Sequence, residues 1–143
     1  MKISTLLAVT PYPADQQSLI EILRPHNWNV RIVKTCKDAR TFLSHDEADV
    51  ILCECKLPDG MWRNLLNSVG TLGRHPSIVV MSRDADESLW AEVLNLGGYD
   101  VLQKPFEQME VLRVAAMAQR HHERHANDPS VPFEKSQEMA ATA

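Results

Sequence analysis

Glycine is scarce in this chain, with five among 143 residues, and none of them builds a phosphate cradle. Gly97-Gly98 and the Gly70 and Gly73 pair lack both the spacing and the strand–turn–helix setting of a nucleotide-binding loop. Long hydrophobic runs are also missing. No stretch approaches the roughly 20 apolar residues that a membrane-crossing helix requires, so no membrane association is expected. Basic charge is in deficit: 15 Lys and Arg against 19 Asp and Glu give a net charge of −4. That balance speaks against nucleic-acid binding, which depends on cationic surface to neutralise phosphates. Aromatics make up only 6% of the chain, and no basic groove surrounds Trp28, Trp62 or Trp90 to make a base-stacking platform. The cysteines, Cys36, Cys53 and Cys55, are odd in number. They suit reduced thiols of a cytoplasmic protein better than a disulfide framework, and their simplest role is small buried filler.

Catalytic signatures are absent as well. There is no Gly-x-Ser-x-Gly, and no Ser-His-Asp set can be argued from spacing, so no enzymatic activity is expected. His121 and His125 share a helical face, but His122 stands where the zinc-protease motif needs a glutamate. Two histidines without a third ligand make a weak zinc site, and no cofactor or metal is expected. The start, Met1-Lys2-Ile3-Ser4-Thr5-Leu6-Leu7, superficially looks like a secretion leader. Pro11 and Pro13 interrupt it early and no small-residue cleavage site follows, so it reads as a first strand.

What is present is an alternation of short apolar runs with helical patterns. Runs at 3–9, 49–53, 77–81 and 99–102 read as buried strands, and 28–33 alternates, with Trp28, Val30 and Ile32 on one face. Helical spacing follows each run: up to Pro25 after an Asp15 cap, then 37–43, 61–69, a segment capped by Asp84 or Asp86 and stopped at Gly97-Gly98, and 107 to about 120. Leu57-Pro58-Asp59-Gly60 is a turn. Strands alternating with helices imply a parallel sheet covered on both faces, wound right-handedly into a three-layer sandwich. The expected organisation is one domain over 1–120 and a flexible polar tail over 121–143.

Three residues interrupt this apolar framework at strand ends. Glu54 closes the third run and is followed by Cys55-Lys56-Leu57-Pro58-Asp59-Gly60. Ser82 closes the fourth, and Lys104-Pro105-Phe106 closes the fifth. In an open α/β sheet the carboxyl edge of the strands is where sites form. In these features the chain resembles the receiver domain of bacterial two-component response regulators, over about residues 4–120. The resemblance implies a flavodoxin-like, doubly wound five-stranded sheet of order 2-1-3-4-5. In that family an Asp at the place of Glu54 accepts a phosphoryl group. An acidic pair after the first strand helps hold Mg²⁺, and a Ser or Thr with the Lys of Lys-Pro contacts the phosphoryl oxygens. Ser82 and Lys104 match. Glu54 replaces the acceptor Asp, Thr10-Pro11 replaces the acidic pair, Arg83 replaces a small residue, and Val101 stands where an aromatic switch residue is common.

The departures carry chemistry. Mg²⁺ requires hard oxygen ligands, usually including carboxylates. Thr10 offers a neutral hydroxyl and Pro11 a carbonyl. Without the metal, charge on a transferring phosphoryl group is not neutralised. Glu54 is also one methylene longer than Asp and out of line for attack. The expectation is therefore a stand-alone, cytoplasmic, receiver-like signalling module that acts by protein–protein contact without phosphorylation. Two readings of Glu54 stand beside each other. In one it mimics the phosphorylated state, paired with Lys104 and hydrogen-bonded by Ser82; in the other it forms a plain structural pair with Lys104. The alternatives are a Mg²⁺-dependent phospho-accepting regulator and, from another class, a flavodoxin-like small-ligand binder or enzyme. By resemblance, the partner is a sensor kinase, another regulator, or a second copy docking through helix 4, strand 5 and helix 5. Trp90 in that stretch reads either as a partner anchor or, more simply, as packing against the sheet.

Overall fold

Each apolar run does become a strand. The computed structural model describes residues 3–71 and 76–127, with side chains as far as Arg124. In chain order the elements are β1 (Ser4–Val9), α1 (Pro13–Leu23), β2 (Trp28–Val33), α2 (Cys36–His45), β3 (Val50–Glu54), the two-residue strands β4 (Lys56–Leu57) and β5 (Gly60–Met61), α3 (Trp62–Thr71), β6 (Ser77–Ser82), α4 (Glu87–Leu96), β7 (Asp100–Gln103) and α5 (Gln108–Asn127). The main sheet is parallel throughout, in the order β2-β1-β3-β6-β7. The β4–β5 pair is a separate antiparallel hairpin. Counting the main strands alone, the order is 2-1-3-4-5, the flavodoxin-like arrangement.

Period-two alternation divides each strand between two cores. Leu6, Ala8, Val50, Leu52, Val79, Met81 and Leu102 face α1 and α5, where they meet Leu19, Leu23, Val111 and Val114. Leu7, Val9, Ile51, Cys53, Ile78, Val80 and Val101 face α2, α3 and α4, where they meet Ala39, Leu43, Leu65, Val69 and Val93. Strands buried on both faces must be apolar at every position, which is why they read as continuous runs. The polar groups that interrupt these runs therefore sit at the strand ends.

Local chemistry fixes the helix starts. Asp59, in the β4–β5 turn, caps α2 from a distance: its carboxylate accepts from the Cys36 N–H at 2.8 Å and the Lys37 N–H at 3.0 Å. Those two donors hold the Asp59 carboxyl below its ordinary range. Asp86 caps α4, accepting from the Leu89 N–H at 2.8 Å, and Gly97 ends that helix in the left-handed region at φ 103°.

Three expectations need correction. Asp15 does not cap α1. The helix begins at Pro13, with Tyr12 in the capping position and no side-chain cap bond, and Asp15 lies in the first turn. Proline is well suited to that first position because its missing N–H has no helical partner anyway. The last helix does not stop near Arg120 but continues to Asn127, so residues 121–127 are helical; the rest of the expected tail lies outside the described residues. Trp90 is not sealed against the sheet, since it is 40% exposed on α4 beside an exposed Leu94.

Gly98 holds the closest approach at the α4–β7 junction. A Cβ there would lie 2.5 Å from Val93 Cγ1 and 3.1 Å from the Val93 carbonyl oxygen. Gly98→Ala is expected to destabilise the domain by about 1–3 kcal/mol through overpacking, measured as a lower urea midpoint with an unchanged slope. An unchanged midpoint would mean that the turn yields without strain.

Candidate functional site

The carboxyl ends of β1, β3 and β6 and the segment after β7 converge on a cleft of about 610 Å³. Tyr12, Asp15, Glu54, Ser82, Arg83 and Lys104 are among the residues that line it. Glu54, the last residue of β3, is only 7% exposed, and Lys104 is only 6% exposed. Their side chains meet directly: Lys104 Nζ donates to Glu54 Oε2 at 2.7 Å. The same ammonium donates to Asp15 Oδ2 at 2.8 Å. The Tyr12 ring lies over it, 4.8 Å from Nζ to the ring centroid, a cation–π contact. The Lys104-Pro105 peptide is cis.

Burial decides the charge states in this cluster. Desolvation pushes the Glu54 carboxyl above its ordinary range; the Lys104 hydrogen bond and charge offset this in part, the Asp15 charge adds to the rise, and Arg83 opposes it. Desolvation alone pulls Lys104 down, but the bonds and charges of Asp15 and Glu54 outweigh it and hold the ammonium above its usual value. Lys104 thus stays protonated throughout the neutral range, between two carboxylates.

The remaining expected site residues are placed as follows. Thr10 is fully buried. Its hydroxyl accepts from the Tyr12 N–H at 3.2 Å and its carbonyl from the Gln16 amide at 2.9 Å. Pro11 follows it in the loop and brings no N–H. Ser82 stands at the cleft, but its hydroxyl accepts from the Asp84 N–H at 3.1 Å, and the expected bond from Ser82 to Glu54 is not made. Arg83 is exposed on the cleft wall. Val101 is buried, 3% exposed, in the core facing α4. Cys36 and Cys53 are buried and Cys55 is half-buried; all three are free thiols, and burial raises each above its usual pKa. Such thiols make poor nucleophiles.

Asp15 was missed as a site residue. Its only signal in the sequence is an acid in the first turn of a helix that follows a strand end. For a ligand-binding site the loop after β1 is poorly equipped, since Pro11 and Pro13 lack N–H groups and the Tyr12 N–H is already engaged. Among the described residues, no group of three or more His, Cys, Asp and Glu is placed to hold a metal ion. His121 and His122 are drawn to separate partners, Tyr99 and Asp49, and the His125 side chain lies outside the described residues.

This is a doubly wound parallel α/β domain with its charged residues gathered at the carboxyl edge of the sheet. The family model of the response regulator receiver domain matches residues 8–116, and the chain belongs to that family of two-component signalling modules. Solved structures agree on the fold. The signal receiver domain of an HD domain-containing protein from Pseudomonas fluorescens Pf-5 is 22% identical, with a TM-score of 0.80 over 88% of this chain and 93% of that one. The signal receiver domain of a putative Luxo repressor protein from Vibrio parahaemolyticus is 17% identical, with a TM-score of 0.81 over 87% and 96%. A putative response regulator from Chloroflexus aurantiacus J-10-fl is 23% identical, with a TM-score of 0.73 over 83% and 99%. Comparison with curated proteins gave no match. No helix among the described residues is long and apolar enough to cross a membrane.

Removing the shared cation should expose the cost of this arrangement. Lys104→Met leaves Glu54 and Asp15 facing one another without neutralisation and is expected to cost about 3–5 kcal/mol at neutral pH. Loss of the cation removes what holds the Glu54 carboxyl down, so its folded pKa rises further. The deficit is therefore largest above the folded Glu54 pKa and shrinks as pH falls and Glu54 protonates. Denaturation of parent and variant across pH 4 to 8 checks the sign. The triple variant Asp15→Asn, Glu54→Gln, Lys104→Met should recover much of the loss.

Proposed function

We propose that this receiver domain acts in the cytoplasm as a protein–protein signalling module of a two-component-type pathway, without accepting a phosphoryl group. The observation that carries this reading is the engagement of Lys104. Its ammonium is shared between Glu54 and Asp15 at 2.7 and 2.8 Å, so it is committed to carboxylates already inside the domain. In the family the corresponding lysine answers to phosphoryl oxygens. Glu54 occupies the acceptor position with a longer, buried side chain whose ionisation is opposed by desolvation.

The donor set does not suit Mg²⁺. Of the three carboxylates at the cleft, Glu54 and Asp15 are bridged by an ammonium, and both oxygens of Thr10 already accept hydrogen bonds, which leaves Asp84 alone outside the pair. A divalent ion needs several oxygen donors with free lone pairs. Of the two roles for Glu54, the structural pair is better supported than mimicry. Mimicry calls on both Lys104 and Ser82, and Ser82 is turned to the Asp84 N–H. The partner is a protein such as a sensor kinase, another regulator or a second copy. The α4 face, with Trp90 40% and Leu94 52% exposed, is where such contact is favoured.

A second reading, the Mg²⁺-dependent phospho-acceptor, has one observation in its favour: Asp15 restores a second carboxylate beside Glu54, although from a helix rather than from the strand end. Intact-mass measurement after incubation with acetyl phosphate, with and without Mg²⁺, separates the two. No adduct is expected on the parent chain or on Glu54→Asp, because Asp15 still holds Lys104. A Mg²⁺-dependent phosphoryl adduct on the parent would overturn the proposal. Glu54→Gln should fold and leave partner binding and self-association as they are; a change in either would restore mimicry.

A further inference from the structure

The family match ends at residue 116, but α5 continues to Asn127. This added length is fastened to the opposite end of the sheet from Glu54. Ser77 Oγ donates to the Ala118 carbonyl at 2.8 Å in a buried contact. The His121 ring lies against Tyr99, with centroids 4.8 Å apart. His122 Nε2 sits 3.4 Å from Asp49 Oδ1, and Asp49 in turn accepts from the Thr5 N–H at 2.8 Å. The inward face of the extension is thus tied to β1, β3, β6 and the turn before β7.

Its outward face is different in kind. Arg113, Met117, Arg120 and Arg124 recur at helical spacing along one exposed stripe. None of the three arginines has an ion-pair partner among the described residues; Arg113 Nη1 rests on Met117 Sδ at 3.5 Å. Glu123, the nearby acid, accepts from Gln119 at 2.6 Å. Beside the stripe runs a groove of about 450 Å³ lined by Tyr99, Met117, Arg120, Glu123 and Arg124. In a chain of net charge −4, this is a local concentration of cations around an aromatic ring and a methionine.

We propose that this groove is a docking site for an acidic protein segment with apolar anchors, placed at the amino edge of the sheet and independent of the Glu54 cleft. Charge complementarity selects the occupant. Arg120 and Arg124, one turn apart, present guanidinium groups suited to bidentate carboxylate contacts. Met117 and Tyr99 supply adaptable and aromatic surface for one or two apolar side chains. Because α5 is already anchored, little order is lost on binding, which favours a usable affinity from a small contact. Electrostatic attraction of this kind weakens with salt.

The experiment is a titration of the full ¹⁵N-labelled chain with a synthetic peptide of glutamates interspersed with leucine and phenylalanine, followed by amide chemical shifts. Shifts are expected at Tyr99 and along 117–124, and not around Glu54. Arg120→Glu with Arg124→Glu should weaken binding by about tenfold or more. Met117→Ala, which leaves the charges in place, should weaken it less, and circular dichroism should show the helix intact in both. The proposal fails if no shifts appear, if they map to the α4 face or the Glu54 cleft, or if a lysine-for-glutamate peptide binds equally well. It also fails if the chain binds phosphatidylserine vesicles but not the peptide, which would mark a lipid surface. Binding that appears only after removal of residues 128–143 would assign the groove to the chain's own end and overturn an outside partner.

Discussion

One ammonium group is shared by two carboxylates in a space that water barely reaches, and the upper end of the domain is arranged around that fact. Glu54 arrives on β3, Asp15 on the first turn of α1, and Lys104 on the segment after β7. Each charge alone would be costly to bury. Together they leave one residual negative charge, shared among three elements that are distant in sequence. Tyr12 adds its ring from the β1–α1 loop. α1, β3 and the segment after β7 are therefore committed to the position of a single nitrogen atom. Buried ion pairs are poor sources of net stability, but removing one partner is severe. The cluster consequently constrains geometry more than it strengthens the fold.

The two ends of the sheet do different work. At the carboxyl edge, charges are drawn inward and satisfied by one another. At the amino edge, α5 reaches past the matched family region and is tied down by Ser77, Tyr99 and Asp49, leaving Arg113, Arg120 and Arg124 exposed with no ion-pair partner among the described residues. Between the two edges lie the central strands β3 and β6, buried on both faces with no polar side chain in their interiors, while the edge strand β2 exposes Asn29 and Arg31. Such a core offers no hydrogen-bond network through which one edge could report on the other. The cleft and the proposed groove stand at opposite edges of one sheet, and coupling between them would need an element with two arrangements.

The strands were legible in the sequence because burial on both faces demands unbroken apolar runs. For the same reason Glu54 and Lys104 were legible: a charged residue directly after such a run has few structural excuses. Asp15 was not, because an acid two residues after Pro13 looks like ordinary helix-start chemistry. Pro13 itself opens the helix, which moves Asp15 inside the first turn and aims it at the strand ends. Asp59 was read as a turn residue and is one, but its cap on α2 joins positions 22 and 23 residues apart, which no local pattern encodes. The end of α5 was misread for a related reason. Residues 121–127 are polar, and polarity suggests a tail, but the helix is held there by side-chain contacts to other elements rather than by an apolar stripe. Trp90 shows the converse error: a large aromatic on a helix need not face the core.

Charge balance is what favours the proposed reading over phosphorylation at Glu54. Glu54 and Asp15 already share Lys104 in the cleft, and Lys56, Arg83 and Asp84 line its wall. A phosphoryl group adds a charge of about −1.5 to −2 at neutral pH. To meet it, Lys104 would have to leave Asp15 or Glu54, turning a satisfied buried acid into an unsatisfied one. Receiver chemistry elsewhere in the family meets that excess with Mg²⁺ held by an acidic pair. On the proposed reading Thr10 and Pro11 take that pair's place, and the Thr10 hydroxyl and carbonyl are already hydrogen-bonded. The acid that does remain, Asp15, holds the lysine rather than a metal. On the proposed reading, Glu54→Asp alone leaves this balance in place, because Asp15 still shares Lys104.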